Sequence, residues 1–201
     1  MPNAAGETIL SLPSPVLPAR HMRSTLLIAS INTLRVLGRF DDYTARLLPE
    51  HRETLLTAIA GTWVPMDTAM AHYDACEALG LTADQQVANG RGVFDKTSGT
   101  LLGTAIRMAR EAGITPWSVF PYFQRFWERG YDGGGLAVYK AGPKEAVFEV
   151  VSVRLLESRY FRNALRGLTG AMTELFCRKA YVTEKAGPRA SSSVTVRVQW
   201  A

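Results

Sequence analysis

The stretch SRYFRNALRGLTGAMTELF, residues 158–176, decides the fold of this chain. Its apolar side chains recur every three or four residues, which is the period of one face of an α-helix. That face consists of Phe161, Leu165, Leu168, Met172, Leu175 and Phe176. The stretch therefore predicts a long amphipathic helix that buries this face against the rest of the protein.

Predicted strands lie on both sides of this helix. A turn at Gly142-Pro143 joins two segments before it, and a serine-rich loop around Gly187-Pro188 joins two segments after it. The four segments are Leu136–Lys140, Ala146–Val153, Tyr181–Lys185 and Val194–Trp200. The resulting order, β-β-α-β-β, predicts an antiparallel sheet of four strands that is crossed by the helix.

The chain before this sheet is predicted to be mainly helical. Apolar residues at helical spacing, with Gly or Pro at the boundaries, indicate a series of helices. They begin near Ser24, Asp41, Glu50, Asp67, Thr82, Leu101 and Pro116. In the helix from Glu50, Leu55, Leu56 and Ile59 are expected to face inward. An N-terminal helical part followed by the β-β-α-β-β sheet places the chain in the α+β class.

The length of 201 residues fits a single domain. Residues 1–20 contain four prolines with Ser and Gly between them. Because proline lacks an amide donor, this segment is expected to be flexible apart from a short edge strand at Thr8–Leu12. Residues 21–201 are then expected to form one α+β domain.

Composition excludes several classes of protein. Hydrophobic residues make up 47% and charged residues 20%, as in ordinary globular domains. There is no apolar run of the roughly 18 residues that a membrane span needs. Cys76 and Cys177 do not form a CxxC pair, so we expect reduced thiols in a cytoplasmic protein. A formal charge of +5 suggests nucleic-acid binding, but the arginines are dispersed and no DNA-binding motif is present.

The most aromatic segment begins at Thr115-Pro116, a favoured helix start that is followed by Pro121, where a kink is expected. Its rings, together with others in the chain, are the candidate lining of an apolar ligand pocket between the helices and the sheet. The candidate pocket residues are Trp63, Tyr73, Phe120, Phe123, Phe126, Trp127 and Phe161. The alternative is a filled core, because aromatic stripes at helical spacing usually pack against each other.

Groups able to support catalysis or metal binding are sparse. His72 and Cys76 stand four residues apart on one predicted helix, but no second pair completes a metal site, so His72 is predicted to be structural. The glycines around Gly90 lack a phosphate-binding pattern and favour close helix packing. Serines 191–193 have no nucleophile motif around them. No catalytic residue and no metal site is therefore predicted, and the chain is expected not to be an enzyme.

Four stretches carry a resemblance to known families. They are Gly61-Thr-Trp-Val-Pro-Met-Asp, Ala71-His-Tyr-Asp-Ala, Ala141-Gly-Pro-Lys-Glu-Ala, and the helix start from Tyr160 to Gly170 with its Val-Arg-Val-Gln-Trp ending. They resemble a paralogous family of myxobacterial proteins of similar length. In layout the chain is similar to haem-nitric-oxide/oxygen-binding (H-NOX) sensors and to four-vinyl-reductase domains. That resemblance implies a helical part and a β-β-α-β-β part around a small-molecule pocket.

The chain departs from these families at their ligand-binding motifs. H-NOX sensors hold haem through a histidine on the helix before the hairpin, and Pro116–Arg129 contains none. They also use a Tyr-x-Ser-x-Arg motif, and the nearest string here is Glu157-Ser158-Arg159-Tyr160. Residues 186–193 lack the cysteines that vinyl-reductase-like domains often carry. The resemblance therefore implies the fold without a cofactor.

These observations support three hypotheses of function. The first is a non-enzymatic sensor or regulatory module that binds a small apolar ligand or a protein partner. The second is an interaction or dimerisation module without a ligand, and a homodimer is expected because related folds often form one. The third is nucleic-acid binding through the dispersed arginines.

Overall fold

The computed structural model describes residues 6–97, 113–185 and 192–201. The helices are α1 Ser24–Val36, α2 Phe40–Arg46, α3 Pro49–Leu56, α4 Met66–Glu77, α5 Ala83–Thr97, α6 Pro116–Val119, α7 Phe123–Gly130 and α8 Arg159–Glu174. The strands are β1 Glu7–Leu10, β2 His21–Arg23, β3 Trp63–Pro65, β4 Gly135–Gly142, β5 Glu145–Val151, β6 Ala180–Glu184 and β7 Ser193–Trp200. The helix expected around Leu101 and the loop at Gly187-Pro188 lie outside the described residues. The α+β class and the β-β-α-β-β order are confirmed.

Helix α8 forms where its pattern predicts it. The Ser158 hydroxyl accepts a hydrogen bond from the amide of Phe161 at 3.3 Å, which caps the first turn. Phe161 and Leu165 are buried, as the periodicity requires. Helix α5 covers one side of α8, and β6 and β7 lie against it as well. The helix thus connects the helical part of the chain to the sheet.

The sheet has five antiparallel strands in the order β1-β4-β5-β7-β6, one more than the four expected. The additional strand is β1, which pairs with β4 close to the position expected for an edge strand. In the centre of the sheet Phe148 stands opposite Val138 on one side and Val196 on the other. All three side chains are buried, and Phe148 contacts the rings of Phe120 and Phe123 in the aromatic segment.

A second, two-stranded ribbon pairs β2 with β3. Trp63–Pro65 pair with His21–Arg23, and α4 begins directly after them at Met66, next to the helix start expected near Asp67. Strands this short contain too few residues to show a period of two. The ribbon is bridged to Tyr131 through Met22, which attaches it to the end of α7.

Two of the predicted helices are shorter than the sequence pattern indicates. Pro121 divides the aromatic segment into α6, a 3-10 turn at Phe120–Tyr122 and α7, since its ring and missing amide interrupt a regular helix. Helix α3 ends at Leu56, so Ile59 lies beyond it and is 74% exposed instead of facing inward. Of the helices in the described part of the chain, none is both long and apolar enough to cross a bilayer.

Residues 17–21 are hydrogen-bonded across one end of the sheet. The amide of Gly134 donates to the carbonyl of Leu17 at 2.7 Å, and the amide of Ala19 donates to Ser152 at 2.9 Å. The amides of Arg20 and His21 both donate to Asp132 Oδ1, at 2.8 and 2.7 Å. We call residues 17–21 the N-terminal strap.

Candidate functional site

One group of aromatic rings fills the space between the aromatic segment and the sheet. The ring of Phe120 is fully buried, and its centroid lies 4.9 Å from that of Phe148 and 5.2 Å from that of Phe123. Trp200, the last residue of β7, is 5.6 Å from Phe120. These contacts are edge-to-face, which is the favourable geometry for aromatic rings in a packed core. Phe120 and Phe123 therefore contact other rings of the protein.

A second group continues from α7 towards α4. Trp127 stacks on Tyr131 at 4.3 Å, and Tyr131 lies 6.5 Å from Phe161. Phe161 in turn contacts Tyr73 edge-to-face at 4.9 Å. The indole nitrogen of Trp127 donates to the carbonyl of Gly133 at 2.9 Å, so the buried polar atom of this ring is satisfied. Five of the seven candidate pocket residues thus belong to these two groups.

The other two candidate pocket residues lie at the surface. Trp63 is 39% exposed, and the guanidinium of Arg23 lies 3.8 Å from the centre of its ring. Phe126 is 44% exposed, and Arg129 lies 5.9 Å from its ring centre. Neither ring faces the space between the helices and the sheet: β3 turns Val64 inward and Trp63 outward, and Phe126 lies on the outer face of α7.

A buried polar cluster lies where the helical part meets α8. It consists of Ser30, Tyr43, His72, Cys76, Asn89 and Tyr160. His72 Nδ1 lies 2.7 Å from Tyr43 Oη, and its Nε2 lies 3.0 Å from Ser30 Oγ. Cys76 Sγ is 3.6 Å from the same Nε2. Burial lowers the pKa of His72 to about 3, so the ring is neutral at physiological pH.

Tyr160 and Asn89 extend this cluster towards α5. The amide nitrogen of Asn89 donates to Tyr160 Oη, which also forms a hydrogen bond with Cys76. Burial raises the pKa of both Tyr160 and Cys76, so each stays protonated. Among the described residues, Asn89 Oδ1 is a buried acceptor without a hydrogen-bond partner. The cluster is therefore neutral throughout and has one unsatisfied oxygen.

Two glycines bring the backbones of α5 and α8 into direct contact. A Cβ atom at Gly90 would lie 1.9 Å from the carbonyl oxygen of Ala164 on α8. A Cβ atom at Gly167 would lie 2.0 Å from the carbonyl oxygen of Val87 on α5. Both distances are far inside van der Waals contact, so any larger side chain must separate the helices. The close packing predicted for the Gly90 region is confirmed, and it leaves no space between these helices.

The H-NOX resemblance implies a histidine-held haem, which the described residues do not fit. All three histidines lie in the described part, and each has other partners. Both ring nitrogens of His72 face hydroxyl groups of the buried polar cluster. His21 Nδ1 is 2.5 Å from Asp132 Oδ2 at the surface, and His51 Nδ1 is 3.2 Å from Thr68 Oγ1.

Two open clefts lie side by side on the outer surface of α4. Arg154 and Asp67 line both clefts and form an ion pair between them. Ser152, which lines the first cleft, has a φ of 62°, a left-handed conformation that is unusual for serine. None of the seven candidate pocket residues lines either cleft. Both partners of the ion pair are more than half exposed, so it adds little to stability.

Only part of the buried polar cluster is visible in the sequence. The spacing of His72 and Cys76 showed that they share a helix face, but not that Tyr43, Asn89 and Tyr160 join them. Those residues come from three other helices, α2, α5 and α8. Spacing along the chain gives no information about contacts between distant helices.

Comparisons with known proteins agree with this architecture. No family model and no curated protein matches the chain. The solved structures that match include an Fe(II) unliganded H-NOX protein from K. algicida, with a TM-score of 0.64 and 11% identity over 90% of this chain and 97% of that one. An oxygen-binding H-NOX domain related to soluble guanylate cyclases matches with a TM-score of 0.57 and 15% identity, over 89% of this chain and 95% of that one. At such low identity the likeness establishes one thing: the chain has the fold of the H-NOX domains.

Proposed function

We propose that this chain is a non-enzymatic regulatory module that has the H-NOX fold, does not use haem, and acts by binding a partner protein. The observation that carries the proposal is the state of His72. Its two ring nitrogens face Tyr43 and Ser30, and burial holds its pKa near 3. A core imidazole held in this way is a structural group and is not free to bind iron.

The packing around His72 supports the same proposal. The backbone contacts at Gly90 and Gly167 hold α5 against α8, and Tyr73 and Phe161 pack next to the buried polar cluster. A planar cofactor inserted here would have to displace several satisfied groups. Five of the seven rings considered for a small apolar ligand contact other rings of the protein. These contacts favour a partner protein over a small ligand in the core.

Two finer points belong to the same proposal. The four stretches quoted above support membership of the myxobacterial paralogous family. A homodimer is the expected assembly, and light scattering at several concentrations measures it. A strict monomer at high concentration would restrict the proposal to a partner of another kind.

The test of the proposal is a haem titration with native mass spectrometry on the same sample. We expect the purified protein to appear at the apo mass of 22.1 kDa and to give no Soret band of bound haem when haemin is added. A haem-binding H-NOX domain prepared in parallel serves as the positive control. A stoichiometric Soret band that is lost in His72→Gln would contradict the proposal, and so would a copurifying small molecule of fixed mass.

A further inference from the structure

Two exposed aromatic residues, one at the end of the 3-10 turn and one on the outer face of α7, are each followed three residues later by an arginine. The pairs are Tyr122 with Arg125 and Phe126 with Arg129, so the four residues follow the spacing i, i+3, i+4 and i+7 of one helix face. Arg125 lies 5.5 Å from the ring centre of Tyr122, and Arg129 lies 5.9 Å from that of Phe126. The opposite face of the helix carries Phe123 and Trp127, which are buried.

A third pair of the same kind lies near the end of this helix. Arg23 on β2 lies over Trp63 at 3.8 Å, and its Nη1 donates to the carbonyl of Gly61 at 2.5 Å. The ribbon that carries this pair is bridged through Met22 to Tyr131, the residue that follows α7. Three arginine–aromatic pairs, all with exposed rings, therefore lie on neighbouring elements. We call them the arginine–aromatic surface.

The guanidinium groups of this surface on α7 are available to a partner. Within residues 6–97, 113–185 and 192–201, the side chains of Arg125 and Arg129 form no hydrogen bond and no ion pair. Each guanidinium contacts the aromatic ring of its own pair. The carboxylate of Glu128 lies to one side, where it accepts a hydrogen bond from Gln124 at 3.1 Å. Arginine, tyrosine and tryptophan are the residues that most often dominate the energy of protein interfaces.

We propose that the arginine–aromatic surface docks an acidic segment of a partner protein. This inference rests on the proposed function, because it specifies where and how the module binds. Guanidinium groups bind carboxylates through paired, charge-assisted hydrogen bonds. Arg125 and Arg129 are four residues apart, which is about 6 Å along a helix. Two carboxylates at positions i and i+2 of an extended chain are a similar distance apart, about 6.6 Å.

The same geometry disfavours single-stranded nucleic acid as the occupant. Proteins that bind single strands offer free aromatic faces on which bases stack. Here an arginine lies over each of the three rings, and Arg23 is in addition held by Gly61. A base would have to displace an arginine before it could stack, whereas a carboxylate can bind the outer edge of a guanidinium that stays over its ring.

The experiment is a fluorescence anisotropy titration of the full chain with a defined acidic peptide. The probe is a fluorescein-labelled peptide of twelve residues. Every second residue is glutamate, and the residues between are leucine or serine. We expect Arg125→Glu/Arg129→Glu to weaken binding by at least about tenfold, since attraction becomes repulsion. The control, Arg159→Glu/Arg178→Glu, changes the net charge equally at two other exposed arginines and should alter affinity less than about twofold.

Two further variants separate charge from specific recognition. Arg125→Lys/Arg129→Lys keeps the charge but not the paired hydrogen bonds, so we expect an intermediate loss. Tyr122→Ser/Phe126→Ser leaves the charge unchanged and should still weaken binding if the rings take part. Tyr122, Arg125, Phe126 and Arg129 are all exposed, so we expect these variants to fold. Far-ultraviolet circular dichroism of each variant checks this.

Three outcomes would overturn the docking surface: no binding of the peptide by the wild type, an equal loss in the control variant, or tighter binding of a twelve-nucleotide thymidine strand through the same arginines. They are distinguishable from failure of the proposed function. If the protein takes up haem, the proposed function is wrong whatever the peptide does. If the protein stays free of haem and the peptide does not bind, only this surface is wrong.

Discussion

The hydroxyl oxygen of Tyr43 lies 2.7 Å from Nδ1 of His72, and both side chains are fully buried in the core. Ser30 faces the other ring nitrogen at 3.0 Å. One nitrogen of a neutral imidazole donates and the other accepts, so two hydroxyl groups satisfy the ring completely. The protonated ring would lose this match and would carry a buried charge. This arrangement makes the histidine a determinant of stability at mildly acidic pH.

We predict that His72 causes the protein to lose stability below about pH 6.5. The unfolded chain binds a proton on this side chain below that pH, whereas the folded protein does not until about pH 3. The free energy of unfolding should therefore fall by up to about 1.4 kcal/mol per pH unit in this window. Urea denaturation at pH 7.5, 6, 5 and 4 measures the slope.

The matched variants are His72→Gln and His51→Gln. Glutamine at position 72 offers a donor and an acceptor but does not titrate, so its stability deficit relative to the wild type should shrink as the pH falls. His51→Gln leaves His72 and both of its hydroxyl partners in place, so the slope that His72 causes should remain. A constant deficit for His72→Gln across the whole pH range would show that the buried ring is not responsible.

A second prediction concerns the contact between α5 and α8. Gly90→Ala and Gly167→Ala should each destabilise the protein by at least about 2 kcal/mol, because the new methyl group meets backbone that cannot move independently. In an uncrowded helix the same change stabilises by about 0.5 to 1 kcal/mol. The sign of the effect therefore distinguishes the two cases in a denaturation experiment.

Gly170 on α8 provides the control for this prediction. A Cβ atom there would lie 3.0 Å from Nη2 of Arg91, the end of a long side chain that is paired with Glu174 but can shift without moving any backbone. We expect Gly170→Ala to be close to neutral or stabilising. Stabilisation by all three substitutions would mean that α5 and α8 are further apart than described.

Local patterns predicted the elements of this fold better than the contacts between them. Helix α8 and the β4–β5 hairpin have complete periods and clear turns, so both were found at nearly their observed bounds. The three residues of β3 are too few to show which side chain points outward, so nothing in the sequence places Trp63 at the surface. The buried polar cluster combines residues from five helices. Its members meet only because of the tertiary fold, which no single stretch of sequence specifies.

A third prediction concerns the unsatisfied oxygen of Asn89. Tyr160→Phe removes the acceptor of the Asn89 amide and should cost about 1 to 3 kcal/mol, the usual penalty for an unpaired buried group. Adding Asn89→Leu removes the side-chain amide that Tyr160→Phe leaves unpaired, so the double variant should be more stable than Tyr160→Phe alone. A double-mutant cycle by urea denaturation measures this. Additive losses would show that Asn89 Oδ1 has a partner, such as water.

The last prediction concerns Asp132 and the N-terminal strap. Burial alone would raise the pKa of Asp132, but hydrogen bonds from the His21 ring and from the amides of His21 and Arg20 outweigh it and lower the pKa. A carboxylate whose pKa is lowered by folding stabilises the folded state above its ordinary value of about 3.9. That contribution disappears as the pH falls through the lowered value.

Asp132→Asn should therefore reduce stability at pH 7, because the amide carries no charge to attract these donors, and the difference from the wild type should shrink as the pH falls below about 3.9. The same variant should speed proteolysis at the strap, since two of its backbone hydrogen bonds end on this side chain. Asp95→Asn, at an exposed position on α5, is the control and should change neither property. Equal proteolysis of the wild type and Asp132→Asn at pH 7 would show that the strap is held by its remaining bonds to Gly134 and Ser152.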